Sequence, residues 1–233
     1  MIPADPNLAL LDLVAAALGP LRQRFVFVGG CATGLLVTDV AAAPVRATQD
    51  VDVIVEVLTL ADYHALEREL EKAGFSHDLS PGAPICRWIV GTSMMDVMPT
   101  DEQVLGFANR WFTQAIHTAQ SVQLPSAHII KLVTPPLFLA TKLEALQGRG
   151  GGDFLASHDL EDIITVIDGR VELLEDVRTS ALPLRAYIAH EIGALLRNPE
   201  FGQALPGHLA GDETSQARMP LIKERLRQLA LAP

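Results

Sequence analysis

The chain has 233 residues, 49% hydrophobic and 20% charged, with a formal net charge of −10 at pH 7. That is ample apolar material for one large or two small packed domains, and it excludes a disordered chain. The acidic balance, with a pI near 5.1, excludes a broad basic surface that coats nucleic acid and leaves room only for a focal contact.

Cys31 and Cys86 make neither a disulfide framework nor a zinc site, which fits a reducing cytoplasm. The opening Met1-Ile-Pro-Ala-Asp-Pro6 has no basic n-region, and the apolar stretch Leu8 to Leu18 contains Asp12 and is too short to span a bilayer. A soluble cytoplasmic protein without membrane association is expected.

Asp5-Pro6 predicts an N-cap and first helical residue, followed by a leucine- and alanine-rich helix that stops at Gly19-Pro20. Phe25 to Val28 reads as a buried strand, Gly29-Gly30 as its end, and Cys31 to about Ala41 as a second helix. A loop from Ala42 to Thr48 delivers the chain to a strand at Asp50 to Val57. Thr59 caps a helix running to Ala73 and closed by Gly74, with Leu60, Tyr63, Leu66 and Leu70 on one face. Cys86 to Val90, a Gly91-Thr92 turn and Ser93 to Met98 form a hairpin pattern that places Asp96 well inside a strand. Further strands are predicted at Thr113 to Val122 and His128 to Val133, then helices at about 135–147, 158–168, 182–197 and 217–230. Strands first and helices afterwards predict an α+β core, residues 1–133, followed by a helical C-terminal region, residues 134–233. Gly148-Arg-Gly-Gly-Gly152 reads as a flexible joint between two of those helices.

Chemistry concentrates in Arg46-Ala-Thr48-Gln-Asp50-Val-Asp52-Val-Ile-Val55. Side chains alternate along a strand, so Asp50 and Asp52 share one face while Val51, Val53, Val55 and Val57 share the other. Two carboxylates side by side repel unless a cation or shared proton compensates, and magnesium, held by carboxylates and substrate phosphates, is the simplest compensation. A wet edge strand is the plainer alternative. A glycine pair at a strand-to-helix turn lets backbone N–H groups approach a phosphate, though such pairs also serve tight packing. Lys142 falls on the apolar stripe of Phe138, Leu139, Leu143 and Leu146, either snorkelling to water or directing its ammonium into a cleft. Arg46 is suited either to a bidentate phosphate contact or to a structural ion pair. Asp159 lies in a first helical turn, where the helix dipole alone accounts for a carboxylate, and Asp162 points away from the Leu160, Ile163, Ile164 and Ile167 stripe and is expected to be solvated. His117, His128 and His158 lack metal-like spacing, Met94, Met95 and Met98 read as core packing, and neither cysteine has an activating partner.

Taken in order, Gly29-Gly30-Cys-Ala-Thr, Arg46-Ala-Thr48-Gln-Asp50-Val-Asp52 and Asp96-Val-Met resemble the minimal nucleotidyltransferases of the polymerase β-like superfamily, closest to the AbiEii-like group of bacterial toxins and their relatives. Thr134-Pro-Pro-Leu-Phe-Leu-Ala-Thr-Lys142, Arg149 and Asp153, and Ser157-His-Asp159-Leu-Glu-Asp-Ile look like that group's lysine-bearing helix and following acidic helix, so the resemblance covers residues 25–170. It implies a mixed-sheet nucleotidyltransferase core that moves NMP from an NTP to an acceptor hydroxyl on tRNA, a protein or a small molecule. Asp50, Asp52 and Asp96 would be the catalytic residues and bind Mg2+. Gly29, Gly30, Arg46, Thr48, Lys142 and Asp159 would bind the nucleotide. Many members have Gly-Ser where this chain has Gly29-Gly30, and serine where it has Thr48. Toxin members imply a cognate antitoxin as partner. The alternative is a non-catalytic nucleotide-sensing or partner-binding protein on the same fold; loss of metal ligands would mark it, and all three carboxylates are present.

Overall fold

The computed structural model describes residues 5–148 and 153–231; the predicted joint at 149–152, Arg149 included, lies outside the described residues. The chain divides into two compact units, one of Pro6–Ala32 with Arg46–Thr134, the other of Met1–Asp5, Thr33–Val45 and Pro135–Pro233.

The first unit is built on a mixed seven-stranded sheet. In chain order it contains α1 (Leu8–Leu18), a 3-10 turn (Gly19–Arg24) and β1 (Phe25–Val28), the start of α2 (Gly29–Leu36), then β2 (Asp50–Val55), α3 (Leu60–Lys72) and β3 (Ser76–His77). The hairpin strands β4 (Arg87–Val90) and β5 (Ser93–Pro99) follow, then α4 (Glu102–Leu105), α5 (Phe112–Thr118), β6 (Gln120–Gln123) and β7 (Ile129–Leu132). The strands lie in the order β3-β4-β5-β2-β1-β7-β6. Strands β2 and β5 run parallel, as do β1 and β7, and the remaining pairs are antiparallel.

Alternation along β2 does what its valines demand. Val51, Val53 and Val55 are buried and stand beside Met95, Val97 and Pro99 of β5, while Asp50 and Asp52 take the other face, beside Met94 and Asp96. Helix α1 packs over β2 and β5 through its buried Leu11, Val14, Ala15 and Leu18. Burying such side chains contributes roughly 1.5–3 kcal/mol each.

The second unit is helical: α6 (Pro135–Gly148), α7 (His158–Gly169), α8 (Leu173–Arg178), α9 (Leu182–Arg197), α10 (Pro199–Ala204), α11 (Glu213–Gln216) and α12 (Met219–Ala230). Arg218 ties it together, donating to both carboxylate oxygens of Asp168 and to Asp39. Its hydrogen bond holds Asp39 below the usual carboxylate range, whereas burial dominates at Asp168 and pushes that carboxyl up.

Several local expectations are corrected. The first helix is capped at Asn7 rather than Asp5, because Leu8 is its first helical residue, and the chain continues past Leu18 as a 3-10 turn. Helix α2 takes Gly29 and Gly30 into its first turn and ends at Leu36, where the N–H groups of Thr38 and Asp39 donate to the Gly169 carbonyl instead. Strand β2 ends at Val55, and Leu60 is 49% exposed, off the buried face of α3. Residues 113–118 are helical: buried Phe112 and Ala115 recur at helical spacing, which outweighs the β-propensity of Thr113 and Ile116. No helix among the described residues is long and apolar enough to cross a membrane.

Candidate functional site

Three strands gather charge on one sheet face. Asp52 stands directly beside Asp96 across the parallel β2–β5 pair, and Arg87 stands directly opposite Asp96 across the β4–β5 hairpin. Directly paired residues share a face, so Asp50, Asp52, Asp96 and Arg87 all project the same way. The Arg87 guanidinium grips Asp96 with both ends of its fork, Nε to Oδ1 at 2.8 Å and Nη2 to Oδ2 at 2.7 Å. The same Nη2 reaches Asp50 Oδ2 at 2.7 Å. Arg87 and Asp96 side chains are 18% and 11% exposed and Asp50 33%, so the cluster opens to water at Asp50. The bond to Asp96 raises the Arg87 pKa despite burial, which fixes it as a cation. Arg87 thus bridges two of the three carboxylates, Asp50 and Asp96.

Gly29 closes this face. It follows Val28, which pairs with Asp52, and its φ of +68° is a left-handed conformation. A Cβ at position 29 would lie 1.9 Å from Asp52 Oδ2, so the carboxylate occupies the space any side chain there would need. Asp52 thereby lies against the first turn of α2, where backbone N–H groups and the helix dipole favour an anion.

The segment entering β2 is held by Asn7, which is 1% exposed. Its Nδ2 donates to the Arg46 carbonyl at 3.0 Å and its Oδ1 accepts from the Thr48 N–H at 2.9 Å. The Thr48 hydroxyl lies 3.4 Å from Asn7 Oδ1 and 3.3 Å from the Asp50 carbonyl. Thr48 therefore serves the local scaffold, and Arg46 is anchored through its backbone.

Lys142 and Asp159 meet in the helical unit. Lys142 Nζ lies 3.0 Å from Asp159 Oδ1 and 2.7 Å from Asp162 Oδ2. Lys142 is buried rather than snorkelling, and Asp162, expected to be solvated, has a side chain only 2% exposed. Helix α7 is buried on most of its circumference, so a single-stripe argument misplaced Asp162. Cys86 is buried, and desolvation, with the nearby Asp96 charge, pushes its thiol up to about 12, so it is no nucleophile at neutral pH. His117, His128 and His158 contact Glu56, Ser126 and Glu161 respectively, in three separate places. Met95 is fully buried, Met94 and Met98 half-buried.

An all-carboxylate donor set on the sheet face suits a hard divalent ion such as Mg2+. In the arrangement present, Arg87 takes the cation's place, and among the described residues no three His, Cys, Asp or Glu side chains are gathered so that they could hold a metal. The donor chemistry fits such an ion, while Asp50 and Asp96 are held by a guanidinium. Arg87 and Asn7 escaped the sequence reading. For Arg87 a signal existed: a two-residue turn at Gly91-Thr92 pairs Val90 with Ser93 and hence Arg87 with Asp96.

No protein-family model and no curated protein matches the chain. Among solved structures it is similar to the crystal structure of an antigenic nucleotidyltransferase-like protein from Paracoccidioides brasiliensis, with a TM-score of 0.52 and 18% identity over 97% of this chain and 94% of that one. The α+β arrangement of a mixed sheet followed by helices is thus a nucleotidyltransferase-like fold.

Proposed function

We propose that the protein is a Mg2+-dependent nucleotidyltransferase that moves NMP from an NTP to an acceptor hydroxyl and releases pyrophosphate. The observation that carries this reading is the placement of Asp50, Asp52 and Asp96 on one face of neighbouring parallel strands, beside a glycine whose missing side chain makes room for Asp52. Asp50, Asp52 and Asp96 would hold Mg2+, which when bound supplies charge neutralisation at the attacking and leaving oxygens. Gly29 and Gly30, at the start of α2, are the proposed backbone contacts to phosphate. Asn7 holds the backbone of the Arg46–Thr48 segment, and Arg46 is the proposed bidentate phosphate contact from it. The resemblance also assigns nucleotide binding to Lys142 and Asp159.

At a finer level we place the protein with the AbiEii-like toxins, acting in the cytoplasm on a tRNA end, a protein side chain or a small molecule, and restrained by a cognate antitoxin. The net charge of −10 favours an acceptor gripped focally over one gripped along its length. The test is incubation with each labelled NTP, Mg2+ and cell extract. Label entering one class of macromolecule or metabolite, and lost with Asp52→Asn, supports transfer; no label from any NTP refutes it.

One observation favours a second reading. Arg87 already pairs with both Asp50 and Asp96, as suits a non-catalytic nucleotide-sensing or partner-binding protein. Nucleotide binding that is independent of Mg2+ and never leads to label transfer identifies that case.

A further inference from the structure

Arg87 has no part in the chemistry assigned above, yet it contacts two of the three carboxylates. Its Nη2 is 2.7 Å from Asp50 Oδ2 and 2.7 Å from Asp96 Oδ2, so one nitrogen lies equally close to carboxylates on two strands. A divalent ion shared by Asp50 and Asp96 would draw on the same two carboxylates, at about 2.0–2.1 Å for Mg2+. The two cations compete, because they draw on the same carboxylates and repel each other at contact distance. Asp50 and Asp96, both reached by one nitrogen, raise each other's energy unless a positive charge lies between them.

We propose that Arg87 is the built-in counter-cation of this site: it binds Asp50 and Asp96 when no metal is present and is displaced when a divalent cation binds. The inference rests on the reading of Asp50, Asp52 and Asp96 as a divalent-cation site. Displacement has a route, because the Arg87 side chain is 18% and Asp50 33% exposed, and an arginine stem swings outward without moving the strand. It also has a threshold, since an incoming ion must break a two-pronged grip on Asp96 and one further bond to Asp50. The threshold keeps the carboxylates in register without metal and makes occupancy by a divalent ion conditional on its concentration.

The experiment uses Mn2+ alone as probe, on the full chain, by electron paramagnetic resonance titration of free Mn2+. Removing the internal competitor in Arg87→Gln should tighten Mn2+ binding by about tenfold or more, the scale of a hydrogen bond to a charged group. Arg87→Lys, which keeps the charge and loses the fork, should fall between the two. In the wild-type chain the Arg87 Nε–H resonance should shift on saturation with diamagnetic Mg2+; this arm decides alone if Arg87→Gln fails to fold. Equal or weaker Mn2+ affinity in a folded Arg87→Gln chain, no Mn2+ binding in either chain, or an Nε–H signal unmoved at Mg2+ saturation overturns the proposal. A wild-type protein that binds Mn2+ and releases Arg87 but transfers no nucleotide defeats the transferase reading and leaves the exchange standing.

Discussion

Gly29→Ala is the substitution that most directly tests how the site is built. Two costs arise and they are separable. The backbone at position 29 has φ +68°, a conformation that costs an L-residue roughly 1–2 kcal/mol relative to glycine. The new methyl would lie 1.9 Å from Asp52 Oδ2, 2.6 Å from its Cγ and 2.7 Å from its Cβ, so the carboxylate must move, and overpacking of this kind costs about 1–3 kcal/mol. The two together destabilise by about 2–5 kcal/mol, a large share of the roughly 5–15 kcal/mol that holds a typical domain. Urea unfolding should show a lower midpoint with an unchanged slope. A double-mutant cycle with Asp52→Gly separates the terms: the steric share should vanish in the combined variant, a coupling of about 1–3 kcal/mol, while the backbone share stays. A Gly29→Ala chain within about 0.5 kcal/mol of wild type, the range of an unremarkable surface change, would refute the close approach of Asp52 to this turn.

Three further outcomes follow from other contacts. Lys142→Met strands Asp159 and Asp162, whose side chains are only 6% and 2% exposed, and should destabilise by about 3–5 kcal/mol; Asp162→Asn in the same chain should return part of it, and a loss below about 1 kcal/mol in denaturant melts contradicts the buried pairing. Asn7→Ala removes the acceptor of the Thr48 N–H and the donor to the Arg46 carbonyl, costing about 1–3 kcal/mol, and Thr48 amide exchange should accelerate; unchanged exchange counts against Asn7 as the anchor. Burial raises the Cys86 thiol to about 12 and pushes the Tyr63 phenol up as well. Their contribution to stability is therefore complete below the ordinary thiol value of about 8.5 and is lost as pH climbs toward the raised values. Melting temperature should fall across that alkaline window, less steeply in Cys86→Ala, and an identical slope in both chains removes Cys86 from the account.

What could be read from the sequence was whatever local periodicity fixes. Asp50 and Asp52 share a face because strand side chains alternate, Asp96 lies mid-strand because Gly91-Thr92 makes a tight turn, and Gly29 ends a strand because glycine adopts its left-handed backbone angle without steric cost. The partners of those residues were less accessible, for reasons that differ. Pairing of Asp52 with Asp96 depends on a parallel register between strands more than forty residues apart, and Asn7 reaches Thr48 over 41 positions; neither distance leaves a local pattern. Asp162 was misjudged because amphipathicity assumes one buried stripe, and α7 is buried on most sides. Arg87 is the instructive omission, since counting back from the turn places it opposite Asp96. The electrostatic argument from paired carboxylates asks for a cation or a shared proton, and a guanidinium answers it as well as magnesium does. The nearest side chain able to supply one had to be sought first, and its presence turns the question from whether the site binds a cation to which cation it holds under which conditions.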